Sequence, residues 1–272
     1  MKNFYFLILS FVCVSCDMNN DSTSGNTKMD EKSFNTAIEK VANKKIYFGH
    51  QSVGKNIVDG LNDLLREHRI KNMVVLDSQD IKDYKGDMLG HSKIGYNTDP
   101  MSKIIGFSNY IDNLRIWKPD IAIFKFCYVD ITSKTDIKKI FNQYTTRMDM
   151  LKEKYPDTIF IHSTVPLTTV QSGIKAKIKK LIGRNVGGSR SNIVRNKYNA
   201  LLRNKYEGKE PIFDLAKIES TFPNGERSEF EANGKKYYSL VDIYTYDGRH
   251  LNEQGRKLVA SKFMTFLAKL PE

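Results

Sequence analysis

The chain has 272 residues, of which 40% are apolar and 11% aromatic, with 17 glycines and 7 prolines. This composition is typical of a globular protein and excludes collagen-like and wholly disordered chains. The formal net charge is +12, but Lys and Arg are spread along the chain and accompany no nucleic-acid-binding motif. We therefore expect no nucleic-acid partner, and attraction to anionic glycans or lipid headgroups instead.

Residues 1–15 have the layout of an export signal. Lys2 precedes an apolar run from Phe4 to Val14, which is too short to span a bilayer as a mature helix. The run ends in Cys13-Val14-Ser15-Cys16, which resembles the lipoprotein box of bacteria, in which the Cys after a small residue is lipidated. The resemblance implies a lipid-anchored protein of the bacterial cell envelope that begins at Cys16. A plain secretory signal and an apolar N-terminal strand are the alternatives.

The next segment, residues 17–32, is rich in Asn, Asp, Ser, Thr and Lys and has almost no apolar residues. Such a segment cannot bury enough surface to order itself. We therefore predict a disordered tether over residues 16–33 and a single domain over residues 34–272. After removal of the signal and lipidation of Cys16, Cys127 is the only free thiol, so no intramolecular disulfide can form. We expect Cys127 to be part of the core.

Short apolar runs then alternate with longer segments of helical period, which is typical of a parallel sheet covered by helices on both faces. The class is therefore α/β, with a mostly parallel, five-stranded sheet. Two turn signals, Pro223-Asn224-Gly225 and Asn233-Gly234, interrupt the alternation and predict a small hairpin within residues 219–246. The glycine-rich segment from Gly183 to Ser189 is expected to be a flexible connection. Strands are predicted at Lys45–Gly49, Met73–Asp77, Ile121–Cys127, Thr158–Ser163 and Pro211–Leu215, and helices at Gly54–His68, Ser102–Trp117, Asp136–Tyr155, Ser191–Tyr206 and Asn252–Leu270.

Two segments carry residues suited to nucleophilic catalysis. Ser52 follows the first strand and precedes a helix, so it is expected at the carboxyl edge of the sheet, where active sites of open α/β folds lie. Asp247 and His250 stand in a turn before the last helix, and a carboxylate beside an imidazole is the pair that a nucleophilic serine needs. Taken alone, Ser52 could simply cap its helix, and Asp247 could simply form a turn.

These residues resemble the SGNH, or GDSL-like, hydrolases, a family of lipases, esterases and carbohydrate acetylesterases. Asp247-Gly248-Arg249-His250-Leu251-Asn252 matches the family's last conserved block, and a serine follows the first strand in both. Ile159 to Leu167 and Arg195 to Leu215 are similar to later parts of the family's fold. The resemblance implies a three-layer α/β/α sandwich of flavodoxin-like strand order. It also implies Ser52 as nucleophile, His250 as general base and Asp247 as the residue that orients it.

The chain departs from the family's pattern at two places. Gly49-His50-Gln51-Ser52 replaces Gly-Asp-Ser, and Cys127-Tyr128-Val129-Asp130 replaces Gly-x-Asn-Asp, so Val129 stands where the family has an oxyanion-binding asparagine. The resemblance assigns the other donors to the backbone of Ser52 and of a glycine, for which we prefer Gly95 and keep Gly90 as an alternative. For the missing amide we predict Asn97, with Gln51 or the Tyr128 hydroxyl as the next candidates.

Several polar residues fall near the same strand ends. His50, Gln51, Tyr128, Asp130 and His162 are therefore candidates to line the site. The sequence has no His-x-x-x-His or Cys-rich spacing, so we expect neither a catalytic metal nor a cofactor.

The sequence as a whole favours an enzyme at the cell envelope. We expect a serine esterase that removes acetyl or short acyl groups from a glycan through an acyl-enzyme, anchored to the membrane by its N-terminal lipid. The alternative is a non-catalytic lipoprotein of the same fold that binds a carbohydrate or an envelope partner. No pattern in the sequence indicates an oligomeric state.

Overall fold

A computed structural model describes residues 22–77, 86–114, 117–171 and 186–271, with side chains from Lys32 onward. The predicted signal peptide and the predicted lipidation site Cys16 lie outside these residues. None of the helices in the described ranges has both the length and the hydrophobicity required to cross a membrane. In chain order the elements are α1 Ser22–Val41, β1 Lys45–His50, α2 Ser52–Glu67, β2 Val75–Asp77, β3 Met88–Lys93, α3 Pro100–Asn113, β4 Ile121–Phe124, α4 Ile137–Lys154, β5 Ile159–Ser163, α5 Ser189–Tyr206, β6 Ile212–Phe213, α6 Leu215–Glu219, β7 Glu229–Ala232, β8 Lys235–Tyr238, a 3₁₀ turn at Asp242–Tyr244, and α7 Glu253–Leu267.

The main sheet has six strands in the order β2-β3-β1-β4-β5-β6, and all its pairings are parallel. The α/β class with a parallel sheet is therefore confirmed, but the predicted strand number of five is wrong. The strand beside β1 is β3, which the sequence analysis missed, and the strand predicted at Met73–Asp77 is the short edge strand β2. Without β2 the order is 2-1-3-4-5, the flavodoxin-like order.

Strand β3 escaped prediction because its sequence, Met-Leu-Gly-His-Ser-Lys, has no β-branched residue. It is nevertheless buried from Met88 to Ser92, and its polar side chains are paired inside the protein. The hydroxyls of Ser92 and Tyr47 lie 2.6 Å apart. The conformation of β3 therefore depends on its tertiary contacts, which cannot be predicted from the local sequence.

The two faces of the sheet bury separate cores. Along β1, Ile46 and Phe48 contribute to one core, which is formed with α1, α2, α6 and α7. Tyr47 points to the opposite face and joins the core under α3, α4 and α5. This alternation follows from the two-residue period of a strand, and it makes the fold a three-layer α/β/α sandwich.

Helix α1 contradicts part of the predicted tether. The tether was predicted over residues 16–33, but α1 begins at Ser22, so the prediction is wrong from that residue onward. The C-terminal half of α1 is apolar on one side, where Phe34, Ile38 and Val41 are buried in the core. The packed C-terminal half nucleates the helix. Extending a helix by further residues costs less free energy than nucleating it.

The predicted hairpin is confirmed. Strands β7 and β8 pair antiparallel, with Ala232 opposite Lys235. Asn233 and Gly234 form the turn with φ angles of 52° and 69°, and a two-residue turn with both angles positive is the one that Asn-Gly favours. The hairpin lies outside the main sheet.

Helices α2 and α7 pack closely on the same face of the sheet. A Cβ atom placed on Gly60 of α2 would lie 2.2 Å from the carbonyl oxygen of Arg256 in α7. No side chain fits there, so the glycine sets the distance between the two helices. Beside this contact, the Arg256 guanidinium donates to the carboxylate of Asp63 at 2.7 Å.

We predict that Gly60→Ala destabilises the fold by about 1–3 kcal/mol, the usual cost of overpacking. The intrinsic helix propensity of Ala would act in the opposite direction by about 1 kcal/mol, so a net loss reports the backbone clash. Urea unfolding followed by circular dichroism measures the effect. The control is Gly187→Ala, where the nearest atom to a new Cβ is 3.6 Å away. Equal stability of Gly60→Ala and the wild type would contradict the close contact.

Candidate active site

Ser52 lies at the turn between β1 and α2, at the carboxyl edge of the sheet. The turn is tight, because a Cβ atom on Gly54 would lie 2.2 Å from the Cβ atom of His50. The side chain of Gln51 does not cap α2, and the N–H of Ser52 donates to no other described residue. The first N–H groups of a helix carry partial positive charge, so this end of α2 is suited to hold an anion.

His250 and Asp247 lie beside Ser52. The Nε2 atom of His250 is 3.1 Å from the Ser52 Oγ atom, and the Nδ1 atom is 2.7 Å from Oδ2 of Asp247. The other carboxylate oxygen of Asp247 accepts the backbone N–H groups of Arg249 and His250 at 2.8 and 2.7 Å. The structure thus brings the three predicted residues into one chain of hydrogen bonds.

The charge of Asp247 decides the tautomer of His250. Burial opposes ionisation, but the hydrogen bonds from His250 and Arg249 outweigh it and lower the pKa of Asp247 to about 2. An ionised carboxylate only accepts, so Nδ1 of His250 carries the hydrogen. In the neutral imidazole Nε2 is then unprotonated and accepts the hydrogen bond that the Ser52 hydroxyl donates.

The loop that holds Asp247 and His250 is fixed at several points. Thr245 donates its hydroxyl to the carbonyl oxygen of His250 at 2.6 Å, and the Leu251 N–H donates to Oδ1 of Asn56 in α2 at 3.2 Å. Gly248 has a φ of 81°, and a Cβ atom on it would lie 2.6 Å from the Thr169 hydroxyl. This explains why the residue after Asp247 is a glycine.

Two tyrosine rings flank the imidazole of His250. The buried ring of Tyr128 meets it edge-on, with ring centroids 5.6 Å apart. Tyr246 lies nearly parallel to it at 6.0 Å and is 68% exposed. Tyr128, a predicted site-lining residue, thus lies against His250, as does Tyr246, which the sequence analysis did not single out.

The loop after β3 reaches the turn of Ser52. The amide nitrogen of Gln51 donates to the carbonyl oxygens of Ile94 and Gly95, both at 2.8 Å. Gly95 has a φ of 53°, and its N–H donates to no other described residue. Gly90 lies inside β3 opposite Tyr47, so the loop position predicted for the oxyanion glycine is occupied by Gly95.

Asp130 does not line the site, because its side chain is fully buried in an ion pair with Lys103, with Nζ and Oδ2 2.5 Å apart. Its carboxylate also accepts the N–H groups of Cys127 at 2.6 Å and Thr98 at 3.0 Å. Asp130 therefore joins the loop after β3 to the loop after β4. Lys103 also donates to Oδ1 of Asn97 at 3.0 Å.

Cys127 is buried, as expected for a core residue, but it also touches the site. Its Sγ atom lies 3.8 Å from the Ser52 Oγ atom. The Cys127 thiol therefore packs beside the Ser52 hydroxyl.

Two of the candidate histidines are engaged elsewhere. His50 is buried, with Nδ1 3.0 Å from the Gln51 carbonyl oxygen and Nε2 3.1 Å from Nδ1 of His91. His162 is fully buried between the Tyr144 hydroxyl at 2.7 Å and the Glu210 carboxylate at 2.9 Å, so it does not line the site. Within the described ranges, no three His, Cys, Asp or Glu side chains are grouped so as to hold a metal ion.

No protein-family model matches the chain. No curated protein matches it either. Among solved structures, it is similar to a candidate platelet activating factor from Streptococcus pneumoniae, with 14% identity, a TM-score of 0.48, and 89% of this chain and 92% of that one covered. A lipolytic protein of the G-D-S-L family from Veillonella parvula has 13% identity and a TM-score of 0.47, with 83% and 98% covered. The periplasmic domain of a Salmonella lipopolysaccharide acetyltransferase has 14% identity and a TM-score of 0.44, with 90% and 96% covered.

At such low identities and TM-scores these similarities assign no activity to the chain. The function proposed below therefore rests on the geometry around Ser52.

A buried lysine in α3 is the least expected part of the site. Lys103 has no exposed surface, although lysine is almost never fully buried without a partner. Lys103 stands four residues before the buried Phe107, which places it on the apolar side of α3. This spacing is the sequence feature from which its burial could have been predicted. Nothing comparable marks Tyr246, because an exposed tyrosine in a turn is ordinary.

We predict that His50 makes the fold acid-sensitive. Burial lowers the pKa of His50 to about 3, whereas an unfolded histidine titrates near 6.5, so the unfolded state binds the proton first and stability falls as the pH drops below about 6.5. Between pH 6 and pH 5 this contribution is about 1 kcal/mol per pH unit. His50→Gln should remove about that much of the slope of unfolding free energy against pH.

The measurement is urea unfolding of both proteins at pH 8, 6 and 5. The difference at pH 8 reports lost packing alone, because His50 is neutral in both states there. Identical slopes in the acid range would show that His50 is not held neutral by the fold.

Proposed function

We propose that the protein is a serine ester hydrolase that works through an acyl-enzyme. The observation that carries the proposal is the hydrogen-bonded chain from Asp247 through His250 to Ser52, with distances of 2.7 and 3.1 Å. A serine is a weak nucleophile unless a base accepts its proton, and a histidine oriented by a carboxylate is such a base.

In the first half of the reaction, Ser52 Oγ attacks the ester carbonyl carbon as Nε2 of His250 takes its proton. The imidazolium that forms is stabilised by the ionised Asp247. When the tetrahedral intermediate collapses, His250 returns the proton to the departing alkoxide oxygen, and the acyl group remains on Ser52. In the second half, His250 activates a water molecule, which releases the carboxylic acid and restores the serine.

The negative oxygen of the intermediate needs hydrogen-bond donors. We propose the N–H of Ser52 at the start of α2, the N–H of Gly95 and the amide nitrogen of Asn97. The N–H groups of Ser52 and Gly95 donate to no other described residue. The loop that carries Gly95 and Asn97 is tied to the turn of Ser52 by Gln51. Gln51 itself is a poor donor candidate, because both of its amide hydrogens are directed to backbone carbonyls.

We propose an acetylated or short-acylated glycan as the substrate. A surface groove of about 610 Å³ is lined by Gly95, Tyr96, Met101 and Ile105, among others. None of Ser52, Asp247 and His250 lines this groove, so it adjoins the proposed oxyanion loop at Gly95 rather than enclosing the triad. Tyr96 is 77% exposed beside it, and Tyr246 is 68% exposed beside His250. Tyrosines with a free face and a polar hydroxyl are suited to the mixed polar and apolar surface of a sugar ring.

We predict that a fluorophosphonate probe labels the protein at Ser52, because the probe reacts with a serine whose proton is taken by a base. Purified protein from Lys32 onward should hydrolyse p-nitrophenyl acetate, and Ser52→Ala should abolish both labelling and turnover. Mass spectrometry of the labelled peptide identifies the residue. The matched control is Ser33→Ala, a change at an exposed position in α1 that should alter neither.

A folded wild-type protein that is neither labelled nor active would contradict the enzyme. It would favour the alternative of a non-catalytic carbohydrate-binding or partner-binding lipoprotein, for which the loss of the family's aspartate and asparagine is the supporting observation. Binding of glycans to that inactive protein, measured by calorimetry, would then establish the alternative.

We further propose that the enzyme is anchored to the cell envelope by lipid on Cys16. The apolar run before Cys16 and the small residue Ser15 support this location. We predict that Cys16→Ala blocks processing or releases the protein from membranes, because stable anchoring needs acyl chains at that residue. Cell fractionation and the mass of the mature N-terminal peptide test it. Cys13→Ala is the control, since Cys13 belongs to the removed signal, and a wild-type protein that starts at another residue would contradict the anchor.

A further inference from the structure

We infer that Lys103 is a positioning residue that orients the Asn97 amide toward the oxyanion, an inference that rests on the proposed hydrolase. Lys103 is buried in α3 beneath the loop, and its Nζ atom donates to Oδ1 of Asn97 at 3.0 Å and to Oδ2 of Asp130 at 2.5 Å. The two bonds bring a buried cation into contact with an exposed side chain of the loop after β3.

The chemistry of the ammonium group settles which end of the amide faces it. An ammonium has three donors and no acceptor, so Asn97 can present only its oxygen to Lys103. The NH₂ group must then point away from Lys103, and it donates to no other described residue. A free asparagine in a loop can turn either end of its amide toward the site, whereas Asn97 is restricted to one.

The ion pair also determines where Asn97 stands. Asp130, held by Lys103, accepts the N–H of Thr98, the next residue after Asn97, at 3.0 Å. The same carboxylate accepts the N–H of Cys127, whose Sγ atom lies 3.8 Å from the Ser52 Oγ atom. A continuous series of contacts therefore connects the backbone beside Asn97 to the nucleophile, and it passes through the Lys103–Asp130 pair.

This arrangement accounts for Val129. Where the related family carries an asparagine after β4, this chain has an apolar residue that cannot donate. An amide on the neighbouring loop, fixed in orientation from below, would supply the missing donor. Preorganised donors are effective because they need not be reoriented during the reaction.

The sharpest test is Asn97→Asp compared with Asn97→Ala. The aspartate keeps an oxygen for Lys103, so the fold should be as stable as the wild type, but it replaces the donor with a negative charge. We expect kcat for p-nitrophenyl acetate to fall by about 100- to 1000-fold, the usual effect of losing one oxyanion donor, with KM nearly unchanged. Asn97→Ala should lose kcat to a similar or smaller extent.

Lys103 is tested by a double-mutant cycle. Lys103→Met should lower kcat by about 10- to 100-fold, less than the full loss of a donor, because a free amide still visits the right orientation. Combined with Asn97→Ala, it should cause no further loss, because it acts through Asn97. Lys103→Gln keeps a donor for Asn97 and should recover part of the activity. Circular dichroism at the assay temperature checks that each variant is folded.

The outcomes separate this inference from the proposed function. A wild type that is inactive and unlabelled at Ser52 would overturn the hydrolase and with it the role of Lys103. An active wild type in which Asn97→Asp leaves kcat unchanged would overturn the inference alone, as would losses from Lys103→Met and Asn97→Ala that simply multiply. If Lys103→Met does not fold, Lys103→Gln takes its place in the cycle with Asn97→Ala, and losses of kcat that simply multiply there would overturn the inference.

Discussion

The candidate site depends on the contact between α2 and α7. Ser52 and His250 are 198 residues apart in the chain, and they meet because one begins α2 and the other immediately precedes α7. Gly60 allows the two helices to touch through their backbones, and Asp63 binds Arg256 across the interface. The hydrogen bond from the Leu251 N–H to Asn56 of α2 then fixes the position of the His250 loop relative to Ser52. A shift of either helix would therefore separate the base from the nucleophile.

A second constraint lies on the other side of the serine, in the buried pair of Lys103 and Asp130. Removing two charges from water is expensive, and an apolar pair of similar volume is often as stable. The pair is better explained by the geometry that it imposes. The Asp130 carboxylate has three hydrogen-bonding partners, Lys103, Thr98 and Cys127, and apolar side chains could not hold the N–H groups of Cys127 and Thr98 in place. The Lys103–Asp130 pair thus contributes to the geometry of the loops more than to the stability of the fold.

Much of the candidate site could be predicted from the sequence, because several of its residues lie in short local patterns. The turn at Ser52 and the motif from Asp247 to His250 are short patterns, and both stand at helix starts that the periodicity reveals. Strand β3 could not be predicted in this way, because its contacts with distant residues stabilise it. The helix from Ser22 onward could not be predicted either, because the polar composition of residues 17–32 indicates no buried face. His162 and Asp130 were expected near the site because both stand at or near the ends of strands. The direction in which a side chain points, into a core or toward a cleft, depends on partners such as Glu210 and Lys103.

The departures from the pattern of the SGNH hydrolases, which the sequence resembles, can be explained as changes in how loops are held. The extra residue before the serine, Gln51, donates both amide hydrogens to the loop that carries Gly95 and Asn97. His50 is buried against His91 in the neighbouring strand. These side chains join the end of β1 to β3 and to the loop that follows it, which carries the proposed oxyanion donors Gly95 and Asn97. With the loop after β3 restrained by Gln51 from one side and Lys103 from another, Asn97 is the proposed substitute for the amide that Val129 does not supply.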